Sequence, residues 1–127
     1  MFDDQLLASI ILFLFVYACQ NDSVIRFGFD TEFGKKSQGL TMMDVNNNQK
    51  TVSLQGDVFV TSGGVLVELI NPKSEIVFSN QITFPDYLLV NEAFHSVSGT
   101  WKLKYKSMEG TGSITLHLNI VNQTLNQ

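Results

Sequence analysis

GTWKLKYKSMEGTGSITLHLNI, residues 99–120, alternates in polarity along almost its whole length. Trp101, Leu103 and Tyr105 alternate with Lys102, Lys104 and Lys106. After a glycine-rich interval, Ile114, Leu116, Leu118 and Ile120 alternate with Ser113, Thr115, His117 and Asn119. Successive side chains of a strand point to opposite faces. Each half therefore has one apolar and one polar face, the pattern of an antiparallel sheet lying on a core. The stretch reads as a β-hairpin that turns near Ser107–Gly112.

Working outward, the same period recurs. Ile25, Phe27 and Phe29 share a parity in a first strand, and the glycine-containing Thr31–Gly39 reads as a loop. Leu40–Val45 is a short strand, followed by an Asn46–Gln49 turn. Lys50–Val60 is a strand with Val52, Leu54, Val58 and Val60 on one face and Gly56 at a bend. Thr61-Ser62-Gly63-Gly64 reads as a tight hairpin turn. Val65, Val67 and Leu69 line the next strand, which ends at an Asn71-Pro72 turn. Ile76, Phe78, Ile82 and Phe84 share a parity in the strand that runs up to Pro85. Asp86–Ser98 is the least readable stretch, either a strand followed by a loop or a segment with a short helical turn.

These segments predict an all-β, antiparallel β-sandwich, Ig-like or jelly-roll-like, of about seven to eight strands. They occupy one domain, 24–121, with a polar tail at 122–127. The chain has 127 residues, enough for one ordinary domain.

The N-terminus is different. Leu6–Tyr17 is almost wholly apolar but short for a membrane-spanning helix, which takes about 20 residues. Its length suits the core of an export signal. Val16-Tyr17-Ala18-Cys19 follows, and Cys19 is the only cysteine. This succession resembles the lipobox of bacterial lipoproteins, although Asp3 and Asp4 stand where such signals carry basic residues. The resemblance implies a signal peptide over 1–18, a lipid on the Cys19 thiol and a tether over 19–23. It implies a protein anchored on the outer side of a membrane in the bacterial cell envelope, with the membrane as a partner. With a single cysteine there is no internal disulfide, so packing alone must stabilise the domain.

The Gly-Gly turn, the Asn-Pro turn and the final Gly-Thr-Trp strand resemble the closing strands of small β-sandwich domains of secreted bacterial proteins. Some of those follow the catalytic part of secreted peptidases. The likeness covers the last half of the chain and implies an accessory module.

Composition narrows the chemistry. The net charge is -4 and no region is strongly basic, which argues against nucleic-acid binding. His95 and His117 are the only histidines, and no Gly-x-Ser-x-Gly elbow accompanies them. Neither a catalytic set, a zinc site nor a cofactor is expected. Asp44, Asn46 and Asn48 fall at alternate positions like those of a calcium loop. Gln49 and Gln55 stand where that loop needs Gly and Glu, so an Asn-rich turn is the better reading. Two weak ligand-binding candidates remain, for a glycan or a protein partner. One is Tyr87, in the aperiodic stretch. The other is the stripe Lys102, Lys104 and Lys106, three cations about 7 Å apart on one strand face. The leading expectation is a non-enzymatic binding module. A small envelope glycan hydrolase or accessory subunit, and a structural subunit of a surface assembly, are the alternatives.

Overall fold

The computed structural model describes residues 25–46 and 50–122. The expected signal segment, Cys19 with its expected tether, Asn47–Gln49 and the end of the tail lie outside the described residues. Among the described residues six strands follow in order: β1 (Ile25–Phe33), β2 (Gln38–Val45), β3 (Lys50–Ile70), β4 (Ile76–Thr83), β5 (Tyr87–Phe94) and β6 (Gly99–Asn122). All pairings are antiparallel, and no helix occurs among the described residues.

Residues 99–120 do not form the expected hairpin. β6 runs through Gly99–Asn122 as one strand of 24 residues. β3 likewise absorbs the expected Thr61–Gly64 hairpin into one strand of 21 residues. The two pair along nearly their whole length, from Ile70 opposite Lys102 to Lys50 opposite Asn122. In a chain reversal the halves of β6 would pair with each other; here both pair with β3. The expected seven to eight strands become six because two presumed hairpins are bends inside long strands.

Glycine chemistry makes a bend as readily as a turn. The β3–β6 register slips between Val60 and Val65, and Gly63 takes φ 62° there. A Cβ on Gly63 would lie 2.2 Å from the Glu109 carbonyl oxygen, so the two backbones cross too closely for any side chain. On β6 the Ser107 hydroxyl donates to the Gly110 carbonyl at 2.9 Å and accepts from the Gly110 amide at 3.0 Å. These irregularities are bulges, which bend a strand and sharpen its twist.

The bends divide the sheet into two half-sheets. In the first, residues 112–120 of β6 lie between β1 and residues 50–60 of β3, and β5 flanks β3. In the second, residues 99–106 of β6 lie between β2 and residues 65–70 of β3, and β4 flanks β3. Their apolar faces feed a single core. Val52, Leu54, Val58, Leu116 and Leu118 come from the first, and Val67, Leu69, Met43, Trp101 and Leu103 from the second. Aromatic contacts cross between them. Phe29 meets Tyr105 edge to face at 4.9 Å, and Phe94 lies 6.5 Å from Trp101.

Other boundaries also moved. β1 continues through the buried Phe33, leaving Gly34–Ser37 as the turn. The aperiodic Asp86–Ser98 holds β5. The β3–β4 register slips at Leu69/Ile70, which places Ile76 opposite Ile70 and exposes it. The β3–β4 turn is organised by the buried Asn71. Its side-chain oxygen accepts from the Lys73 amide at 2.9 Å and the Glu75 amide at 3.0 Å, and its side-chain nitrogen donates to Glu75 at 2.9 Å.

Candidate functional site

The outer face of the first half-sheet is read from its register. Phe59 of β3 lies directly opposite Tyr87 of β5. Their rings stack with centroids 5.6 Å apart and planes 29° off parallel, while 45% of Phe59 and 60% of Tyr87 is exposed. Leu89, two residues along β5 on the same face, is also exposed. The result is an apolar platform facing water, in a position where a sheet exterior ordinarily carries polar groups.

Polar rows continue from this platform. Asp57 is flanked by Leu89 on one side and Thr115 on the other, and Asp30 lies beyond Thr115. In the next row Gln55 stands between Asn91 and His117. The Gln55 amide donates to the Asn91 side-chain oxygen at 3.1 Å and accepts from the Asn119 amide at 3.0 Å. Next to the aromatic pair, Glu32, Thr61, Thr111 and Ser113 border a shallow depression of about 350 Å³. Its hydroxyls are close-coupled, with Thr61 and Thr111 oxygens 2.7 Å apart. An aromatic surface edged by amides, hydroxyls and carboxylates can stack on the apolar face of a sugar ring and hydrogen-bond its hydroxyls.

The three lysines lie elsewhere. Lys102, Lys104 and Lys106 are exposed on the outer face of the second half-sheet, opposite Met42, Leu40 and Gln38 of β2. A groove of about 520 Å³ runs there, bordered by Leu40, Leu66, Glu68, Lys104 and Lys106. Tyr87 and the lysine stripe therefore belong to different faces and do not form one site. Trp101 and Tyr105, on the opposite parity from the lysines, are buried.

His95 and Ser96 follow β5 in the connection to β6, whereas His117 lies on the outer face of β6 between Gly28 and Gln55. Asp44 accepts a hydrogen bond from the Thr100 hydroxyl at 2.7 Å. Among the described residues no three His, Cys, Asp or Glu side chains converge as metal ligands do. Asp30 and Asp57 share a row two strands apart, roughly 10 Å between backbones.

Sequence reasoning missed Phe59, Leu89, Leu40 and Met42. Phe59 did carry a signal: it shares parity with Ser53, Gln55 and Asp57, so an aromatic stood on a polar face. Leu40 and Met42 carried a weaker one, because Leu40–Val45 contains apolar residues of both parities.

No family model and no curated protein matches the chain. Among solved structures, the dimeric latent PorU of Porphyromonas gingivalis aligns with 80% of this chain at TM-score 0.46 and 10% identity. This chain spans only 13% of that one. PliG of Aeromonas hydrophila, a periplasmic inhibitor of g-type lysozyme, aligns over 80% of this chain and 88% of its own, at TM-score 0.44 and 10% identity. The Yersinia pseudotuberculosis-derived mitogen aligns over 84% of this chain and 91% of its own, at TM-score 0.40 and 13% identity. No ligand or activity carries over at these values.

Proposed function

We propose that this chain is a non-enzymatic, glycan-binding module of the bacterial cell envelope, held there by a lipid on Cys19. Its two half-sheets close over a shared core as a β-sandwich, and the outer face of the first carries the binding surface. The reading of two facing layers is supported by the ring contacts of Phe29 with Tyr105 and Phe94 with Trp101, which bridge the two half-sheets.

The observation that carries the binding reading is the Phe59–Tyr87 pair. Two stacked, exposed aromatics leave apolar area in water that a ligand could cover. The adjacent Asp57, Gln55 and Asn91 supply both donors and acceptors for hydroxyl groups. The face is open and lacks the enclosure that catalysis usually builds around a reacting bond.

The test is cosedimentation of the purified full chain with insoluble peptidoglycan, chitin and cellulose. Retention on at least one, lost in Tyr87→Ala and Phe59→Ala, is expected. A wild-type chain that stays in the supernatant with all three overturns the glycan reading. The anchor is tested separately by metabolic labelling with an alkyne fatty acid. The label should be absent from Cys19→Ser, and a label that persists there excludes Cys19 as its site.

A further inference from the structure

The outer face of the second half-sheet combines cations with exposed aliphatic side chains in a regular array. Lys102, Lys104 and Lys106 run down β6 about 7 Å apart. Met42 and Leu40 of β2 lie beside Lys102 and Lys104, with more than half of each exposed. On the other side, Ile70 and Leu66 of β3 lie opposite Lys102 and Lys106, and the exposed Ile76 follows on β4. Glu68 is opposite Lys104, yet none of the three lysines makes an ion pair within 4.0 Å among the described residues. The outer face of the first half-sheet carries Asp30, Glu32 and Asp57, with Arg26 at the start of the same β1 row.

We infer that this lysine-and-aliphatic face docks on an anionic phospholipid surface and so orients the domain. Charge complementarity supplies the attraction, since the stripe is cationic on a protein of net charge -4. The aliphatic side chains select the occupant. A hydrophilic polyanion gains nothing from Leu40, Met42 and Ile76, whereas a bilayer offers acyl chains directly beneath its headgroups. A second copy presenting its acidic face would be a head-to-tail contact, which leaves both faces free at the ends and propagates into an open stack. Docked this way, the domain turns Phe59 and Tyr87 away from the membrane. The inference stands on the second half-sheet alone and needs neither the glycan reading nor the lipid on Cys19.

The test uses the full chain in a Cys19→Ser background, with an environment-sensitive fluorophore on Met42→Cys or, as the reference on the opposite face, on Leu89→Cys. Vesicles of phosphatidylcholine alone are compared with vesicles that also contain phosphatidylglycerol. The expected result is a blue shift and protection from an aqueous quencher at residue 42 on the anionic vesicles only, with residue 89 still quenched. K102Q/K104Q/K106Q should bind the anionic vesicles roughly a hundredfold more weakly, at about fivefold per lysine. Circular dichroism establishes whether that variant keeps its β signature. Salt supplies a second measurement on the unaltered lysine face, because at about 1 M the screening length falls to ~3 Å and the shift should vanish. An equal response on neutral vesicles shows that the lysines do not drive docking and overturns the inference. Equal protection at residues 42 and 89, or a shift at residue 42 that grows with protein concentration without lipid, overturns it as well. Loss of glycan retention leaves these readouts unchanged, so the two proposals fail separately.

Discussion

Tyr105 of β6 and Phe29 of β1 meet edge to face at 87°, although they belong to different half-sheets. Phe33 approaches the same Tyr105 ring at 6.3 Å. Edge-to-face rings satisfy each other's quadrupoles, and the contact ties β1 to the N-terminal half of β6 with no backbone hydrogen bond between them.

Tyr105→Ala should therefore be among the most damaging single substitutions, costing about 3 kcal/mol or more. Tyr105→Phe keeps the ring and should cost less than about 1.5 kcal/mol. Equilibrium urea unfolding followed by circular dichroism reads both. Equal losses would assign the stabilisation to the hydroxyl and not to the ring contacts.

The bend in β3 makes a prediction about glycines. Gly63 combines φ 62° with a carbonyl 2.2 Å from where a Cβ would sit. Gly63→Ala adds the left-handed penalty of about 1–2 kcal/mol to a backbone clash. It should lower the urea midpoint sharply or prevent folding. Gly34, whose nearest neighbour to a Cβ is the Ser37 hydroxyl at 3.8 Å, is the contrast. Gly34→Ala should be neutral or stabilising by about 0.4–1 kcal/mol, because it restricts the unfolded chain.

At the β3–β4 turn, Asn71→Ala removes the acceptor for the Lys73 and Glu75 amides together. Asn71 is only 6% exposed, so water replaces that acceptor poorly, and a loss of about 1–3 kcal/mol is expected. Glu75→Gln retains an oxygen for the Asn71 amide and should stay within about 0.5 kcal/mol of wild type. Thermal unfolding of the two variants side by side checks the difference.

These sites separate what periodicity conveys from what it cannot. The parity of Trp101, Leu103 and Tyr105 told core from surface, because burial on one side of a strand imposes the period directly. The connection between segments was not legible. Thr61–Gly64 and Ser107–Gly112 contain turn-forming residues, and whether the chain reverses or bends there depends on which distant strand pairs with it. β5 was legible only as one of two alternatives, for another reason. Glu92 occupies the parity of Val90 and Phe94, and Tyr87 and Leu89 occupy the other, so neither face is uniform. That disorder in the pattern coincides with the candidate site, since an exposed aromatic breaks alternation. The lysine stripe was legible as a stripe. Its aliphatic borders became visible only through the register with β2 and β3.

The Phe59–Tyr87 face makes the last prediction, which separates binding from hydrolysis. Tyr87 is mostly exposed, so Tyr87→Ala should cost little stability while abolishing retention on polysaccharide. Asn91→Ala removes one exposed amide from the same face and should weaken retention about fivefold, the worth of roughly one net hydrogen bond. Asp30 and Asp57 flank Thr115 on that face, Glu32 lies in the row of Phe59 and Tyr87, and these are the carboxylates a hydrolase would use there. Long incubation of the retained chain with its polysaccharide should release no new reducing ends. Release that disappears in Asp57→Asn would convert the binding face into an active site, with the aromatic pair positioning the sugar.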